Sequence, residues 1–175
     1  MGRTKERFPT TPATRLLHAH DPDCFTPLLY TYEDRGGARV AATQLDFPLH
    51  HVIKTLIMHD ADEQGLIVLM HGDCQVNTGE LARQIGTKRV TPFAPAQAQK
   101  HSGYLVGGTS PFGTKKVMPI YAESSIFDIE GDILINGGKR GFMLSISPQL
   151  LHDIFAPLEL LHLVQVATSS HHDVE

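Results

Sequence analysis

A lysine lies inside an apolar segment in the first third of the chain. Lys54 is the only charged residue in VIKTLIM, at residues 52–58. If this segment is a strand, the side chains of Lys54, Leu56 and Met58 share one face of a sheet. Burying an ammonium among such neighbours is costly unless it is paired or the face opens onto a cavity. The segment alone favours a lysine whose stem lies along the apolar surface while its ammonium reaches water. A lysine in a ligand pocket is the second interpretation.

A glycine-rich loop follows a short apolar segment in the second half of the chain. Its sequence, GGTSPFG at residues 107–113, combines three glycines, a proline and two hydroxyl side chains. Glycines let a backbone approach a ligand closely, and consecutive backbone N–H groups can hold a carbonyl oxygen or an oxyanion. An ordinary turn between strands is the alternative, but a simple hairpin needs no such combination. The loop therefore predicts a ligand-binding role.

Basic side chains also concentrate in the second half. The segment GGKRG at residues 137–141 either contacts a nucleic-acid backbone or forms a charged hairpin turn. Neither glycine-rich segment has the residue order of a Walker A loop or of G-x-G-x-x-G, which argues against a nucleoside triphosphatase. The formal net charge of −4 means that any nucleic-acid contact requires a local patch. The candidates for that patch are Lys88, Arg89, Lys100, Lys115, Lys116, Lys139 and Arg140.

Residue types that serve covalent or metal chemistry lack their usual spacing. No G-x-S-x-G segment is present, and neither Cys24 nor Cys74 belongs to a nucleophile or C-x-x-C motif. The eleven histidines form no H-E-x-x-H or zinc-ligand spacing, so scattered surface or half-buried histidines are the favoured interpretation. We therefore expect no metal site, and chemistry by positioning and electrostatics from a lysine, hydroxyls and backbone amides.

Size and composition fit one globular domain. The chain has 175 residues, of which 41% are hydrophobic and 19% charged. Its two cysteines make a disulfide framework improbable and predict a reducing, cytoplasmic location. No apolar run approaches the length of about 20 residues that a membrane span requires.

Helix and strand patterns are mixed along the chain without strict alternation. Helices are predicted from Thr11–Pro12 to about His20, over 39–45, from Asn77 to Gly86 with Glu80 completing a capping box, over 94–101, and from Ser147–Pro148 to Phe155. Strands are predicted over 28–32, 52–59, 66–70, 104–106, 117–121, 132–135 and 142–146, and residues 158–166 fit either state.

This pattern predicts an α+β fold, a single domain with a mixed, curled sheet surrounded by helices. Residues 52–59 and 66–70 are expected to form a hairpin at the centre of that sheet. The domain is expected to span residues 11–168, between flexible ends at residues 1–10 and 169–175.

The unusual segments occur together in one known family. The sequence resembles the YbaK/EbsC family, which is similar to the editing (insertion) domain of bacterial prolyl-tRNA synthetases. The GYLVGGTSPFG string is highly specific, and the other stretches come in the family's order and approximate spacing. The matching stretches are TPATRLL (11–17), TYE (31–33), VIKTLI (52–57), GYLVGGTSPFGTKK (103–116) and NGGKRGFML (136–144).

The resemblance implies a barrel-like mixed sheet and hydrolytic release of an amino acid from mischarged tRNA, without a metal or an organic cofactor. It implies that Lys54 is the essential lysine, that Gly107 and Gly108 line the aminoacyl pocket and act on the ester carbonyl, and that Tyr32 belongs to the same pocket. The further substrate-binding residues expected are Thr55, Thr109, Ser110, Pro111 and Gly138. The tRNA backbone is expected at Lys88, Arg89, Lys115, Lys116, Lys139 and Arg140.

The usual target in this family is Cys-tRNA(Pro), so the expected partners are the acceptor end of that tRNA and prolyl-tRNA synthetase. Two other functions stay open: a deacylase for alanine or another small amino acid on tRNA(Pro), and a non-catalytic module that binds tRNA or a synthetase. Release of the amino acid by water or by the thiol of a cysteinyl substrate also stays open.

Overall fold

The computed structural model describes residues 7–169 and assigns five helices and ten strands to them. The helices are α1 (Pro12–His20), α2 (Gly37–Leu45), α3 (Thr78–Ile85), α4 (Pro95–Ser102) and α5 (Pro148–Phe155). The strands are β1 (Thr26–Leu29), β2 (Val52–His59), β3 (Gly65–His71), β4 (Cys74–Val76), β5 (Thr91–Pro92), β6 (Ile120–Glu123), β7 (Ile133–Lys139), β8 (Phe142–Ile146), β9 (Leu161–Val164) and β10 (Ala167–Ser169).

One mixed sheet organises the chain. Its strand order is β1-β8-β7-β2-β3-β6-β9, and β5 pairs with the end of β2. The pairs β2–β3, β7–β8 and β1–β8 are antiparallel, whereas β2–β7, β3–β6 and β6–β9 are parallel. Strands β4 and β10 form a separate antiparallel pair. The predicted α+β fold with a mixed sheet is therefore confirmed, and within residues 7–169 the sheet stays open between β1 and β9.

The predicted hairpin of β2 and β3 lies at the centre of this sheet, with register from Ile53 opposite His71 to His59 opposite Gly65. Both strands are apolar on both faces because helices and loops cover the two sides. On the first face, Ile53 and Ile57 belong to the main core, which also holds side chains of α1, α4 and α5. The other face carries two smaller clusters, one around α2 and one around α3.

Two predicted strands are shifted, and residues 158–166, which fitted either a helix or a strand, contain a strand. β1 ends at Leu29, and two residues later the Thr31 N–H and carbonyl bond the Gln44 side chain, at 2.8 and 3.0 Å, instead of β8. β6 begins at Ile120, after an exposed Val117. Residues 161–164 form β9, the edge strand beside β6.

The strand predicted over 104–106 is wrong, since this segment is irregular. The Tyr104 side chain is buried and its hydroxyl donates a 2.6 Å hydrogen bond to the Phe112 carbonyl, which closes the loop on itself. The capping box predicted for α3 is half present: Asn77 accepts from the Glu80 N–H, but the Glu80 carboxylate bonds Arg83 instead of returning to Asn77.

The expected ends of the domain fall largely outside the described part of the chain. Residues 1–6 and 170–175 lie beyond it, and Ser169 pairs with Cys74 in the small ladder. Within residues 7–169, no helix combines the length and the apolar character needed to cross a membrane.

Candidate functional site

Lys54 lies between the two smaller apolar clusters on its face of the sheet. Val52, two residues earlier on β2, packs with Ala41 of α2, whereas Met58 packs with the cluster around α3. Strand alternation places Lys54 between these two covered positions. The sequence therefore puts a cation in the space that α2 and α3 leave between them.

The Lys54 ammonium is held by a neutral group. The side chain is half-buried, and its Nζ donates a 2.5 Å hydrogen bond to the Cys74 carbonyl. Burial lowers the pKa of Lys54, and the nearby Cys74 and Asp73 side chains partly offset this. No ion pair of Lys54 is described within residues 7–169. A half-buried cation that is paired only with a carbonyl dipole can still bind an anionic group of a ligand.

Asn136 is the neighbour of Lys54 on the adjacent strand. Ile53 pairs with Ile135 in the parallel β2–β7 ladder, and both belong to the main core on the first face. The next residues, Lys54 and Asn136, therefore turn to the second face on strands about 4.8 Å apart. Asn136 is buried, with 9% of its surface exposed, so its amide must find partners inside the protein.

The Asn136 side chain connects two glycine-rich turns. Its Oδ1 accepts hydrogen bonds from the Gly138 and Lys139 N–H groups at 2.7 and 3.2 Å, and its Nδ2 donates to the Gly107 carbonyl at 3.2 Å. Sequence reasoning missed this residue. An amide directly after the buried ILI of β7 and before GG was the available signal, because a buried side-chain amide needs several partners.

The glycine pair lies tightly against two walls of this region. A Cβ atom on Gly107 would lie 2.8 Å from the Tyr32 hydroxyl oxygen, and one on Gly108 would lie 2.7 Å from the Arg140 backbone nitrogen. The Arg140 guanidinium lies 5.2 Å from the centroid of the Tyr32 ring, and its Nε donates to the Val106 carbonyl at 2.9 Å. The structure thus brings Tyr32, Gly107, Gly108 and Arg140 together, as close packing that only glycine permits.

The backbone amides of the pair are not equally available. The Gly108 N–H already donates to the Leu105 carbonyl at 2.9 Å, and the Thr109 hydroxyl donates to the same oxygen at 3.2 Å. The Gly107 N–H has no described acceptor within residues 7–169. The Gly107 amide is therefore the freer of the two in this arrangement, and the roles of both amides on the ester carbonyl stay predictions.

Four other predicted substrate-binding residues point away from the Lys54 face or support the loops. Thr55 follows Lys54 and so faces the main core, where its Oγ1 is buried without a described partner. Ser110 and Pro111 are buried, and the Ser110 hydroxyl accepts from the Phe112 N–H. Gly138 has φ +99° and donates its N–H to Asn136, at the bulge near the end of β7. Within the predicted set, Gly107 lies against Tyr32, and Asn136 connects Gly107 to Lys54, its neighbour on β2.

The basic residues assigned to tRNA come to one edge of the sheet. Because β2 and β7 are parallel, their C-terminal ends share an edge, and β3, β6 and β8 begin there. β5 pairs with the end of β2 at the same edge. Six exposed basic residues lie at the end of β7 or shortly before β5 and β6: Lys88, Arg89, Lys115, Lys116, Lys139 and Arg140. The three pairs stand across β7, β2, β3 and β6, a width of about 15 Å at ordinary strand spacing.

Acidic groups share that edge. The β2–β3 turn contains Asp60, Asp62 and Glu63, and these residues line a concavity of about 490 Å³ together with Lys116. The edge is therefore of mixed charge, and it does not form a continuous basic stripe.

A His–Asp–Cys cluster, His50, Asp73 and Cys74, adjoins Lys54 through the Cys74 carbonyl. The His50 Nδ1 lies 2.9 Å from the Asp73 Oδ1, and the Cys74 thiol donates to the same oxygen at 3.4 Å. These are the residues of the described part whose ligand atoms come close enough together to hold a metal ion.

Comparison with known families gives these observations a context. A model of the aminoacyl-tRNA editing domain matches residues 33–154, which include Lys54, Asn136 and both glycine-rich loops. The chain belongs to the aminoacyl-tRNA editing domain family. The resemblance to the YbaK/EbsC family is thereby confirmed, while Tyr32 lies one residue before the matched range.

Relatives of this editing-domain protein include free-standing and synthetase-borne forms. It is 26% identical over 119 residues to EbsC of Enterococcus faecalis, which is named as a candidate Cys-tRNA(Pro)/Cys-tRNA(Cys) deacylase. The aligned region is 68% of this chain and 72% of EbsC. It is 32% identical over 95 residues to the proline–tRNA ligase of Moorella thermoacetica, covering 54% of this chain but only 15% of the ligase.

The fold is also found among solved structures. A candidate trans-editing enzyme for prolyl tRNA synthetase superposes with a TM-score of 0.77 over 92% of this chain and all of its own, at 15% identity. At that identity the superposition shows the shared fold alone.

Proposed function

We propose that this protein is an aminoacyl-tRNA deacylase that clears mischarged tRNA in trans, with Cys-tRNA(Pro) as its main substrate. The observation that carries the proposal is the half-buried Lys54 ammonium, bonded to a carbonyl and lying beside the Asn136-clamped glycine loop of an editing domain. The similarity to EbsC, named for Cys-tRNA deacylation, supports cysteine as the amino acid.

Lys54 anchors the terminal adenosine of the tRNA through its phosphate or ribose. A compact ammonium on a flexible stem suits a phosphate oxygen, and the Cys74 carbonyl keeps it in place before the substrate arrives. The anchored adenosine brings the aminoacyl ester to the Gly107 amide. That N–H, which has no described acceptor in the protein, donates to the ester carbonyl as negative charge develops there.

The bond that breaks joins the acyl carbon to the ribose oxygen. Water adds hydroxyl to the acyl carbon while its proton goes to the ribose oxygen. In the alternative, the thiol sulfur of a cysteinyl substrate attacks its own acyl carbon, the thiol proton goes to the ribose oxygen, and water then opens the resulting thiolactone to cysteine. The ester is already activated, so positioning supplies much of the acceleration. Tyr32, held by Arg140, forms the wall beside the Gly107 position.

The proposed editing unit spans residues 11–168. At its start, the Thr11 hydroxyl donates a 2.6 Å hydrogen bond to the Gly137 carbonyl, which ties the cap of α1 to the β7–β8 turn. At its end, the Val166 and Ala167 N–H groups donate to the Glu123 carboxylate at 2.7 and 3.0 Å. Both ends therefore support the sheet that carries the pocket.

Prolyl-tRNA synthetase is the proposed partner. The region of the Moorella ligase that this chain resembles is part of a synthetase, so the same fold serves beside the enzyme that makes the error. A separate protein can receive the mischarged tRNA from that synthetase.

Replacement of Lys54 tests the proposal. Lys54→Met keeps most of the stem and removes the ammonium, so deacylation of Cys-tRNA(Pro) should fall by about 100-fold or more. The exposed α1 residue Arg15 provides the control, because Arg15→Ala removes a cation outside the pocket and should leave the rate unchanged. Full activity in folded Lys54→Met protein would remove the proposed role.

A panel of aminoacyl-tRNA(Pro) substrates tests the amino acid. Cys-tRNA(Pro) should be hydrolysed fastest, with Ala- and Ser-tRNA(Pro) slower and Pro-tRNA(Pro) spared. Small side chains differ by only about 1–3 kcal/mol in binding, so measurable activity on alanine is expected. A preference for Ala-tRNA(Pro) over Cys-tRNA(Pro) would reassign the substrate.

A further inference from the structure

The His–Asp–Cys cluster contains three different ligand types from two separate parts of the chain. His50 lies in the 3₁₀ turn at Leu49–His51, and Asp73 and Cys74 follow the end of β3. The ligand atoms of these three residues lie within 4.8 Å of one another. An imidazole, a carboxylate and a thiol are the donors that Zn²⁺ and similar transition-metal ions prefer.

The spacing of these atoms approaches one face of a metal tetrahedron. With zinc bonds of about 2.0–2.3 Å, the edges between nitrogen, oxygen and sulfur ligands come to about 3.3–3.6 Å. The Asp73 Oδ1 lies 2.9 Å from the His50 Nδ1 and 3.4 Å from the Cys74 Sγ. Of the three edges, Asp73–Cys74 already fits, Asp73–His50 must open by only a few tenths of an ångström, and His50–Cys74 lies within 4.8 Å. The carboxylate oxygen is shared by both contacts, so rotation of the Asp73 side chain can supply that change.

The surrounding structure fixes the cluster in place. The His50 ring stacks on His71, with centroids 3.7 Å apart and an angle of 7° between the planes. The His71 ring is itself held on both sides, by the His50 carbonyl at 2.7 Å and by the Ser125 hydroxyl at 2.7 Å. The imidazole that would bind a metal is therefore oriented by a buried neighbour, and little side-chain freedom is lost on binding.

A glycine brings the two segments together. A Cβ on Gly72 would lie 2.7 Å from the Leu49 carbonyl oxygen, so only glycine lets the end of β3 press against the 3₁₀ turn that carries His50. The side chains of His50 and Asp73 are 46% and 41% exposed, so an ion in solution can reach them.

We propose that His50, Asp73 and Cys74 form a binding site for one transition-metal ion of the Zn²⁺ type, with water in the fourth position. On binding, the Cys74 thiol releases its proton to solvent and the sulfur becomes a thiolate ligand. The proton that His50 Nδ1 shares with Asp73 leaves that nitrogen through solvent, to Nε2 or to bulk water, which frees Nδ1 and the carboxylate oxygen as ligands. The site adjoins Lys54 through the Cys74 carbonyl, but the proposed deacylation chemistry needs no metal ion.

Cobalt(II) gives a direct readout of this site, because a thiolate ligand produces a charge-transfer absorption that Zn²⁺ then abolishes by displacement. The intact protein should bind one Co²⁺ per chain with this absorption. Cys74→Ser should remove the absorption, and His50→Ala and Asp73→Asn should each weaken binding by about tenfold or more. The matched control is Cys24→Ser, which removes the other thiol and should leave the spectrum unchanged.

A second measurement needs no variant. Zn²⁺ should slow alkylation of Cys74 in the intact protein and leave the rate at Cys24 unchanged, as followed by mass spectrometry of the two peptides. Absence of a thiolate absorption with Co²⁺, together with equal alkylation of Cys74 with and without Zn²⁺, would overturn the site. Loss of the absorption in Cys24→Ser but not in Cys74→Ser would do the same.

Discussion

At the scale of single residues, an ammonium and a carboxamide on neighbouring strands shape the candidate pocket. Lys54 supplies charge, while Asn136 supplies geometry by bonding the Gly107 carbonyl and the N–H groups of Gly138 and Lys139. The loop is therefore positioned by a buried side chain from the sheet, and its glycines allow the contact. Small changes at either glycine should shift the loop against Lys54.

Alanine at either glycine should damage activity for different steric reasons. Gly107→Ala presses on the Tyr32 hydroxyl in a residue with φ +87°, and Gly108→Ala meets the backbone of the β7–β8 turn. A displacement near 1 Å at such a site can cost about 100-fold in rate, which is the loss expected from kcat/KM of Cys-tRNA(Pro) deacylation. Gly79→Ala, whose Cβ has its nearest contact at 3.6 Å, is the control and should keep full activity. Wild-type rates in both pocket variants would show that the loop does not contact the substrate.

At the scale of elements, the loop after α4 owes its shape to side chains as much as to backbone pairing. Tyr104 is buried and closes the loop through its bond to the Phe112 carbonyl. Burial raises the pKa of Tyr104 to about 12. In the unfolded chain a tyrosine ionises near pH 10, so between about pH 10 and 12 the folded state binds more protons.

The resulting stability contribution is complete below about pH 10 and is lost as the pH rises towards 12. Tyr104→Phe removes both the hydrogen bond and the titration. The variant should lose about 1 kcal/mol at pH 7, and its free energy of unfolding should fall less steeply than that of wild type above pH 10. Urea unfolding at pH 7, 9, 10 and 11 measures both effects. Parallel curves for the two proteins would mean that Tyr104 ionises freely in the folded state.

The elements that sequence could predict are those whose signals are local. The apolar runs of β2, β3 and β8, the Thr11 cap of α1 and the Ser147–Pro148 start of α5 agree with the structure because period and capping chemistry act over a few residues. Residues 104–106 look like a strand by composition, but the Val106 carbonyl accepts from Arg140 and the Leu105 carbonyl accepts from the Gly108 N–H, within the loop itself. Periodicity cannot predict contacts between distant segments, such as those that bring His50 to Asp73 and Cys74.

The candidate site follows the same rule: residues with a local signal could be predicted, and those that depend on distant contacts could not. Lys54 and the glycine pair stand out by type and context. The role of Asn136 depends on the meeting of β7 with the loop, and the use of the Gly108 amide depends on the irregular path of the loop at Leu105. The placement of Thr55 on the opposite face was available from alternation, since Lys54 and Thr55 are adjacent on one strand.

At the scale of the whole molecule, Lys139 and Arg140 adjoin the pocket, and the other basic residues lie farther along the strands. From Lys54 to His59, where the basic edge begins, β2 rises about 17 Å. A single-stranded acceptor end can follow that path with about two to four phosphates near the sheet. The net charge of −4 and the acidic β2–β3 turn oppose a larger footprint.

A small footprint predicts shallow salt dependence and weak tRNA selection. At about −0.7 per neutralised phosphate, the logarithmic slope of binding against salt should lie between about −1.4 and −2.8. Lys139→Glu should lower the slope in magnitude and raise KM, whereas Arg15→Glu on α1 should change neither.

The isolated protein should treat Cys-tRNA(Pro) and Cys-tRNA(Cys) alike, because phosphate contacts carry no sequence information. Strong discrimination that added prolyl-tRNA synthetase leaves unchanged would contradict this picture.

The most direct test of the proposed function is turnover. Protein at one-fiftieth of the concentration of Cys-tRNA(Pro) is incubated with it, and free cysteine and uncharged tRNA are measured over time, with Lys54→Met in parallel. A deacylase releases many equivalents of cysteine per protein, and the variant releases none above the spontaneous rate. Release that stops at one equivalent or fewer from folded wild-type protein would contradict the account and identify a module that binds tRNA without cleaving the ester.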